Sequence, residues 1–133
     1  MRTGHCPMEI DKMISVLLVD DEAAVRQGLR MRIELEPDLV VVGEAGDGIA
    51  AVKAAQVLDP DVVVTDVEMP KMDGITAIEW LREVSPSTSV IVLSVYDDED
   101  ARARARIAGA RAFVGKQEGV EELLDVIRSV GRK

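Results

Sequence analysis

The chain has 133 residues, a formal net charge of −9, 47% hydrophobic residues and three aromatics, Trp80, Tyr96 and Phe113. That length suits one domain with one core, and the apolar share excludes global disorder while requiring an aliphatic interior. The acidic balance argues against a nucleic-acid surface, which needs clustered Lys and Arg; the lone Cys6 excludes an intrachain disulfide or a cysteine metal cluster; and no apolar run reaches membrane-spanning length.

The opening MRTGHCPMEIDKM lacks the apolar stretch of a signal peptide and reads as a flexible extension over residues 1–13. His5 and Cys6 lie in it with too few neighbouring ligands for a metal site. Residues 15–19 then form a continuous Val/Leu run, the first predicted strand. Val25, Leu29 and Ile33 recur every four residues and predict a helix. Residues 39–45 are a second strand, followed by Asp47, placed to cap a helix carrying Ala50, Ala54 and Val57. Residues 61–65 are the third strand, and Ile75, Ile78 and Leu81 stripe the third helix. Residues 89–93 are the fourth strand.

Residues 98–108 contain ARARAR, whose period of two fits a strand. Ala and Arg favour helix, however, and three acids precede them at the positive end of a helix dipole, so a helix is predicted. Its one large apolar side chain is Ile107, so it should be weakly anchored. Residues 112–114 are the fifth strand. Val120, Leu123, Leu124 and Ile127 fall on one face of the last helix. Strands of continuous Val, Ile and Leu are buried on both faces, and their alternation with helices implies an α/β, doubly wound (βα)5 parallel sheet.

Polar residues sit at the ends of these strands: Asp20 and Asp21 after the first, Asp66 after the third, Ser94 after the fourth and Lys116 after the fifth. A parallel sheet brings strand carboxyl ends to one edge, where ligands bind at the reversal of strand order. Singly, each residue has a plain reading: acids opening a helix, a Pro/Gly turn after Asp66, a capping serine, a solvated lysine. Jointly, three carboxylates repel and call for a cation. Oxygen ligands without Cys or His favour Mg²⁺ or Ca²⁺. A carboxylate in that setting can attack phosphorus and form an acyl phosphate, with Lys116 and Ser94 stabilising the charge on the transferring group.

The stretches LLVDDEAAVRQGL, VVVTDVEMPKMDG, VIVLSVYDDED and AGARAFVGK resemble, over residues 14–130, the receiver domains of two-component response regulators, most closely those of LuxR/NarL-type regulators. The resemblance implies a flavodoxin-like strand order 2-1-3-4-5 and a receiver domain over 14–133. It implies a cytoplasmic signalling switch, not an enzyme in the usual sense, that takes a phosphoryl group from a sensor histidine kinase or a phosphotransfer protein and assists its own slow dephosphorylation. Asp66 then matches the phosphoacceptor, with Ser94 and Lys116 as its catalytic partners. Asp20, Asp21, Asp66 and the backbone carbonyl of Glu68 match the Mg²⁺ ligands, and Ser94 and Phe113 the switch pair. One departure is Gln117, where many receivers have proline. LuxR-type regulators continue into a helix-turn-helix, which leaves open a stand-alone receiver or a fragment. Arg102, Arg104, Arg106 and Arg111 mark the last two helices as a partner or homodimer face, against the plain reading of a solvated surface.

Two other functions compete. An aspartate-nucleophile phosphatase of the haloacid dehalogenase type carries DxD after its first strand; here Asp20 and Asp21 are adjacent. A receiver that only binds partners usually lacks an acid, the hydroxyl residue or the lysine; all are present. The resemblance implies that slow dephosphorylation is tuned by the positions two beyond the acceptor and two beyond the hydroxyl residue, which flank the path of the attacking water and are Glu68 and Tyr96 here. Glu68 either repels the phosphoryl group or orients water as a base, whereas the Tyr96 ring excludes that water altogether. Tyr96→Ala should therefore shorten the lifetime several-fold, about 1 kcal/mol in barrier. Decay of radiolabelled protein after removal of the phosphodonor tests this, and an unchanged or longer lifetime transfers the role to Glu68.

Overall fold

The computed structural model describes residues 13–67, 74–95 and 98–131. The 1–13 extension (but for its last residue), Glu68 and Tyr96 lie outside the described residues. Five strands, β1 (Ile14–Val19), β2 (Leu39–Ala45), β3 (Val62–Thr65), β4 (Ser89–Ser94) and β5 (Ala112–Gly115), alternate with five helices. These are α1 (Ala23–Ile33), α2 (Gly48–Leu58), α3 (Gly74–Val84), α4 (Glu99–Ala108) and α5 (Val120–Gly131). All strand pairings are parallel, in the order β2-β1-β3-β4-β5. The expected doubly wound fold and strand order are therefore the observed ones.

The central strands are buried along their whole length because both faces carry helices. Period-two alternation divides their side chains. Val16, Leu18, Val62, Val64 and Ile91 meet Leu123, Leu124 and Ile127 of α5 and Ile33 of α1. Leu17, Val19, Val63, Val90 and Val92 meet the second layer, α2, α3 and α4. Each fully buried Leu, Ile or Val contributes roughly 1.5–3 kcal/mol, so this aliphatic core stands without aromatic help.

Strand limits agree with the sequence to within one residue, and one difference is informative. Asp61 is not in β3. Its carboxylate accepts the Ser15 N–H at 2.9 Å and the Ser15 hydroxyl at 3.2 Å, and its own N–H donates to that hydroxyl at 2.9 Å. It joins the starts of β1 and β3.

Two helix faces differ from expectation. In α2, Asp47 caps as expected, accepting the Ala50 N–H at 2.8 Å. The buried face, however, is Gly48, Ala51, Val52 and Ala55, with Ala50 and Ala54 at its margin and Val57 83% exposed. This helix is nearly all apolar, so Lys53 and Gln56 define the outer face, and Val57 falls with them. In α4, Asp98 caps through the Ala101 N–H, and the anchors are Ala105 and Ala108. Ile107 is 79% exposed, because it lies on the opposite side of the helix from that pair.

The end of β3 is held close to α3. A Cβ on Gly74 would come 2.3 Å from the Val67 Cα and 2.6 Å from its carbonyl oxygen. Both are backbone atoms next to Asp66, so neither yields cheaply. Gly28 in α1 has open space within 4 Å. Gly74→Ala should lower stability by about 1–3 kcal/mol through overpacking, whereas Gly28→Ala should raise it by up to about 1 kcal/mol through helix propensity. Urea unfolding midpoints separate the two, and a Gly74→Ala midpoint at or above wild type would refute the close approach.

Candidate functional site

Strand order reverses between β1 and β3, and Asp20 and Asp66 are the residues that follow those two strands. The Asp66 N–H continues the ladder to the Val19 carbonyl at 3.3 Å, and the Asp20 N–H donates to the Ala45 carbonyl at 3.1 Å. Backbone pairing thus extends one residue past the strands and fixes both carboxylates beside each other. Both residues are buried, at 4% and 8% exposure.

Lys116 follows β5 and reaches back over the edge. Its Nζ donates to Asp66 Oδ2 at 3.1 Å and to Asp20 Oδ2 at 3.4 Å. The second Asp20 oxygen accepts the Glu22 N–H at 2.9 Å. Ser94 closes β4, in register with Gly115, and is fully buried. Asp21 is exposed, and Lys116 pairs with Asp20 and Asp66, so the Asp21 oxygens lie on the solvent side of this edge. Among the described residues no three Asp, Glu, His or Cys side chains gather closely enough to hold a metal by themselves. Two buried carboxylates sharing one ammonium are still a fitting donor set for Mg²⁺, which commonly takes one or two carboxylates and completes its shell with water and phosphate oxygens.

Three supporting residues escaped the sequence. The Arg26 guanidinium donates to the Asp20 carbonyl and, at 3.0 Å, to Glu44 Oε1, so it ties α1 to the site. Thr65 Oγ1 donates to the Asp66 carbonyl at 3.0 Å. Glu118 accepts the Gly115 N–H at 2.6 Å and forms a tight 3₁₀ turn, Lys116–Glu118, at the position where Gln117 replaces proline. An arginine one turn into a helix carries no spacing signal of such a role. The Gly115–Glu118 spacing was legible only once β5 had an end.

Phe113 is half-buried against the α2–α4 layer. The Arg102 guanidinium lies over its ring, 4.8 Å from the centroid, and pairs with Glu118 at 3.5 Å. One arginine thereby joins α4, Phe113 and the Lys116 turn.

The chain matches the family model of the response regulator receiver domain over residues 16–128. The uncharacterized transcriptional regulatory protein YxjL of Bacillus subtilis is 38% identical over 125 residues, covering 94% of this chain and 57% of that protein. The nitrate/nitrite response regulator protein NarL of Escherichia coli K12 is 36% identical over 113 residues, covering 85% of this chain and 52% of that protein. The crystal structure of the response regulator domain of Thermotoga maritima CheB superposes with a TM-score of 0.83 at 35% identity, covering 90% of this chain and 96% of that one. The chain belongs to the receiver domains of two-component response regulators and is related to NarL-type transcriptional regulators. It spans just over half the length of these curated relatives. No helix among the described residues is long and apolar enough to cross a membrane.

Burial of the Lys116 ammonium acts to lower its pKa, but hydrogen bonding and attraction from Asp66, reinforced by Asp20, outweigh this and raise it above 10.5. The stabilisation that follows is fully present below 10.5 and is lost as pH rises through the higher folded value. Asp66→Asn should bring the Lys116 pKa down, since it removes the stronger partner and leaves the burial. Nitrogen-detected NMR titration of the lysine Nζ checks this, and an unshifted value in Asp66→Asn would contradict the pairing.

Proposed function

We propose that this chain is a phosphorylation-dependent switch in which the Asp66 carboxylate takes a phosphoryl group from a phosphohistidine of a sensor kinase or phosphotransfer protein. The observation that carries this reading is the Lys116 ammonium shared by Asp66 and Asp20 at the reversal of strand order. An Asp66 oxygen forms the new bond to phosphorus as the bond to the donor's imidazole nitrogen breaks, and the nitrogen keeps the electron pair. Lys116 stays beside the transferred group and balances its charge, and the Ser94 hydroxyl donates to a phosphoryl oxygen. Asp20, Asp21, Asp66 and, by the family resemblance, the Glu68 carbonyl would hold Mg²⁺, which would neutralise part of the charge of the incoming anion.

The output is a change around α4. A phosphoryl group gives Ser94 a new acceptor, Phe113 reorients, and α4, held by two alanines, follows. A ligand shifts such an equilibrium only through unequal affinity for the two states; here that inequality is the Ser94 hydrogen bond. Because the curated relatives are transcriptional regulators, the reading extends to control of a DNA-binding output, in a longer chain, a partner or a homodimer.

Beryllofluoride, a stand-in for the phosphoryl group, should bind in the presence of Mg²⁺, fail to bind in excess EDTA and fail to bind Asp66→Asn. Binding should also change amide hydrogen exchange in α4. Full binding without metal would refute the metal role, and identical exchange in α4 with and without the analogue would refute the switch.

A further inference from the structure

Among the described residues the arginines fall into two groups. Arg26, Arg30, Arg32, Arg102, Arg104 and Arg128 each contact a carboxylate. Arg82, Arg106 and Arg111 contact none among those residues. In a chain with 25 acids and 16 bases, an arginine without an acid is the exception. All three such arginines line one cavity of about 440 Å³, with Ser87, Thr88 and Ser89. The cavity lies by the turns that precede β4 and β5. Ser94 and Lys116 are at the opposite ends of those strands, roughly 17 Å away at about 3.3 Å per residue.

Local geometry directs the arginines here. Arg82 belongs to α3, and its stem crosses the backbone at Gly109. A Cβ on that glycine would come 1.8 Å from Arg82 Cδ, and its φ of +124° disfavours any other residue. Arg106 comes from α4 and Arg111 from the residue before β5. The Thr88 hydroxyl is committed to the Pro60 carbonyl at 2.6 Å and the Ser89 hydroxyl to the Val130 carbonyl at 3.2 Å. Those side chains build the wall, and the guanidiniums are left as its donors. The volume is that of a small-molecule site. No aromatic ring lines it, so nothing stacks a base. Planar guanidinium forks match tetrahedral phosphate oxygens.

We propose that this cavity binds a compact phosphate polyanion of the diphosphate class, at the edge of the sheet remote from Asp66. Such a ligand joins Arg82 of α3 to Arg106 of α4 and fastens the most weakly anchored helix to its neighbour. The partner face expected for Arg102, Arg104, Arg106 and Arg111 is thereby divided. Arg102 and Arg104 are paired to Glu118 and Asp100, while Arg106 and Arg111 join Arg82 in a different site.

The test is titration of ¹⁵N-labelled protein with inorganic pyrophosphate at constant ionic strength, in excess EDTA so that no metal assists binding near Asp66. Saturable shifts are expected at amides 87–89 and 109–111. Arg82→Gln and Arg111→Gln should each weaken binding at least tenfold, and Lys53→Gln on the outer face of α2 should leave it unchanged. An ADP arm identifies the source: comparable affinity marks an organic diphosphate, and binding of pyrophosphate alone an inorganic one. Shifts centred on Asp20, Asp66 and Lys116, equal affinity for sulfate, no saturation, or undiminished binding in both arginine variants would each overturn the proposal.

Discussion

One ammonium, Lys116 Nζ, holds two buried carboxylates at the ends of neighbouring strands. Unit charges about 4 Å apart interact by about 4 kcal/mol at an effective dielectric of about 20. Lys116 attracts both Asp20 and Asp66, which outweighs their mutual repulsion, yet two carboxylates and one ammonium still leave a net charge of −1 at the site. The rest of the fold makes that arrangement unavoidable. Parallel pairing of β1 with β3 places the two acids side by side, and β5, two strands from β3, ends where a lysine can reach across β4. In the function proposed, that residual negative charge would attract a metal ion and, with it, an anionic group that the carboxylates alone would repel.

What the sequence makes legible follows from how strongly a pattern is tied to local geometry. Buried parallel strands announce themselves as unbroken Val, Ile and Leu, and all five were readable to within a residue. Asp20, Asp66, Ser94 and Lys116 were readable because each directly follows or closes such a run. The α2 face was misread because a helix with Lys53 and Gln56 as its only polar residues carries little amphipathic contrast. Asp61 looked like a strand residue because nothing in a sequence signals a hydrogen bond to Ser15, 46 positions away. Arg82 and Gly109 were invisible for the same reason. Asp21 shows a different limit: its role as a metal ligand comes from the family resemblance, and its exposed position beside the buried Asp20 follows from successive residues leaving a strand pointing apart.

Electrostatic ties are unevenly distributed over the two layers. On the α1–α5 side, Arg128 clamps Asp38 with two hydrogen bonds, 2.9 and 3.1 Å, and Arg32 joins Glu36 of the α1–β2 connection to Glu121 of α5. Arg26 and Arg30 share Glu44 of β2, which with the Arg30 hydrogen bond foremost lowers the Glu44 pKa. Both helices are thus pinned to the sheet by packing and charge together. On the other side, the charged contact described for α4 outside its own helix is that of Arg102 with Phe113 and Glu118, and it runs directly to the turn carrying Lys116.

This asymmetry decides which element a small chemical event can move. A hydrogen bond to a charged group is worth about 1.5–3 kcal/mol. Displacing α5 means exposing Leu123, Leu124 and Ile127, each worth roughly 1.5–3 kcal/mol, so a single new bond at Ser94 falls well short. The buried anchors of α4 are Ala105 and Ala108, whose methyl groups bury little area, and its one large apolar side chain, Ile107, already faces solvent. The same gain that leaves α5 in place is comparable to what those two buried methyl groups contribute to α4. The helix with the poorest core face, predicted as a helix despite the period of two in ARARAR, is thus the part of the fold that the proposed charge at Asp66 would move most easily.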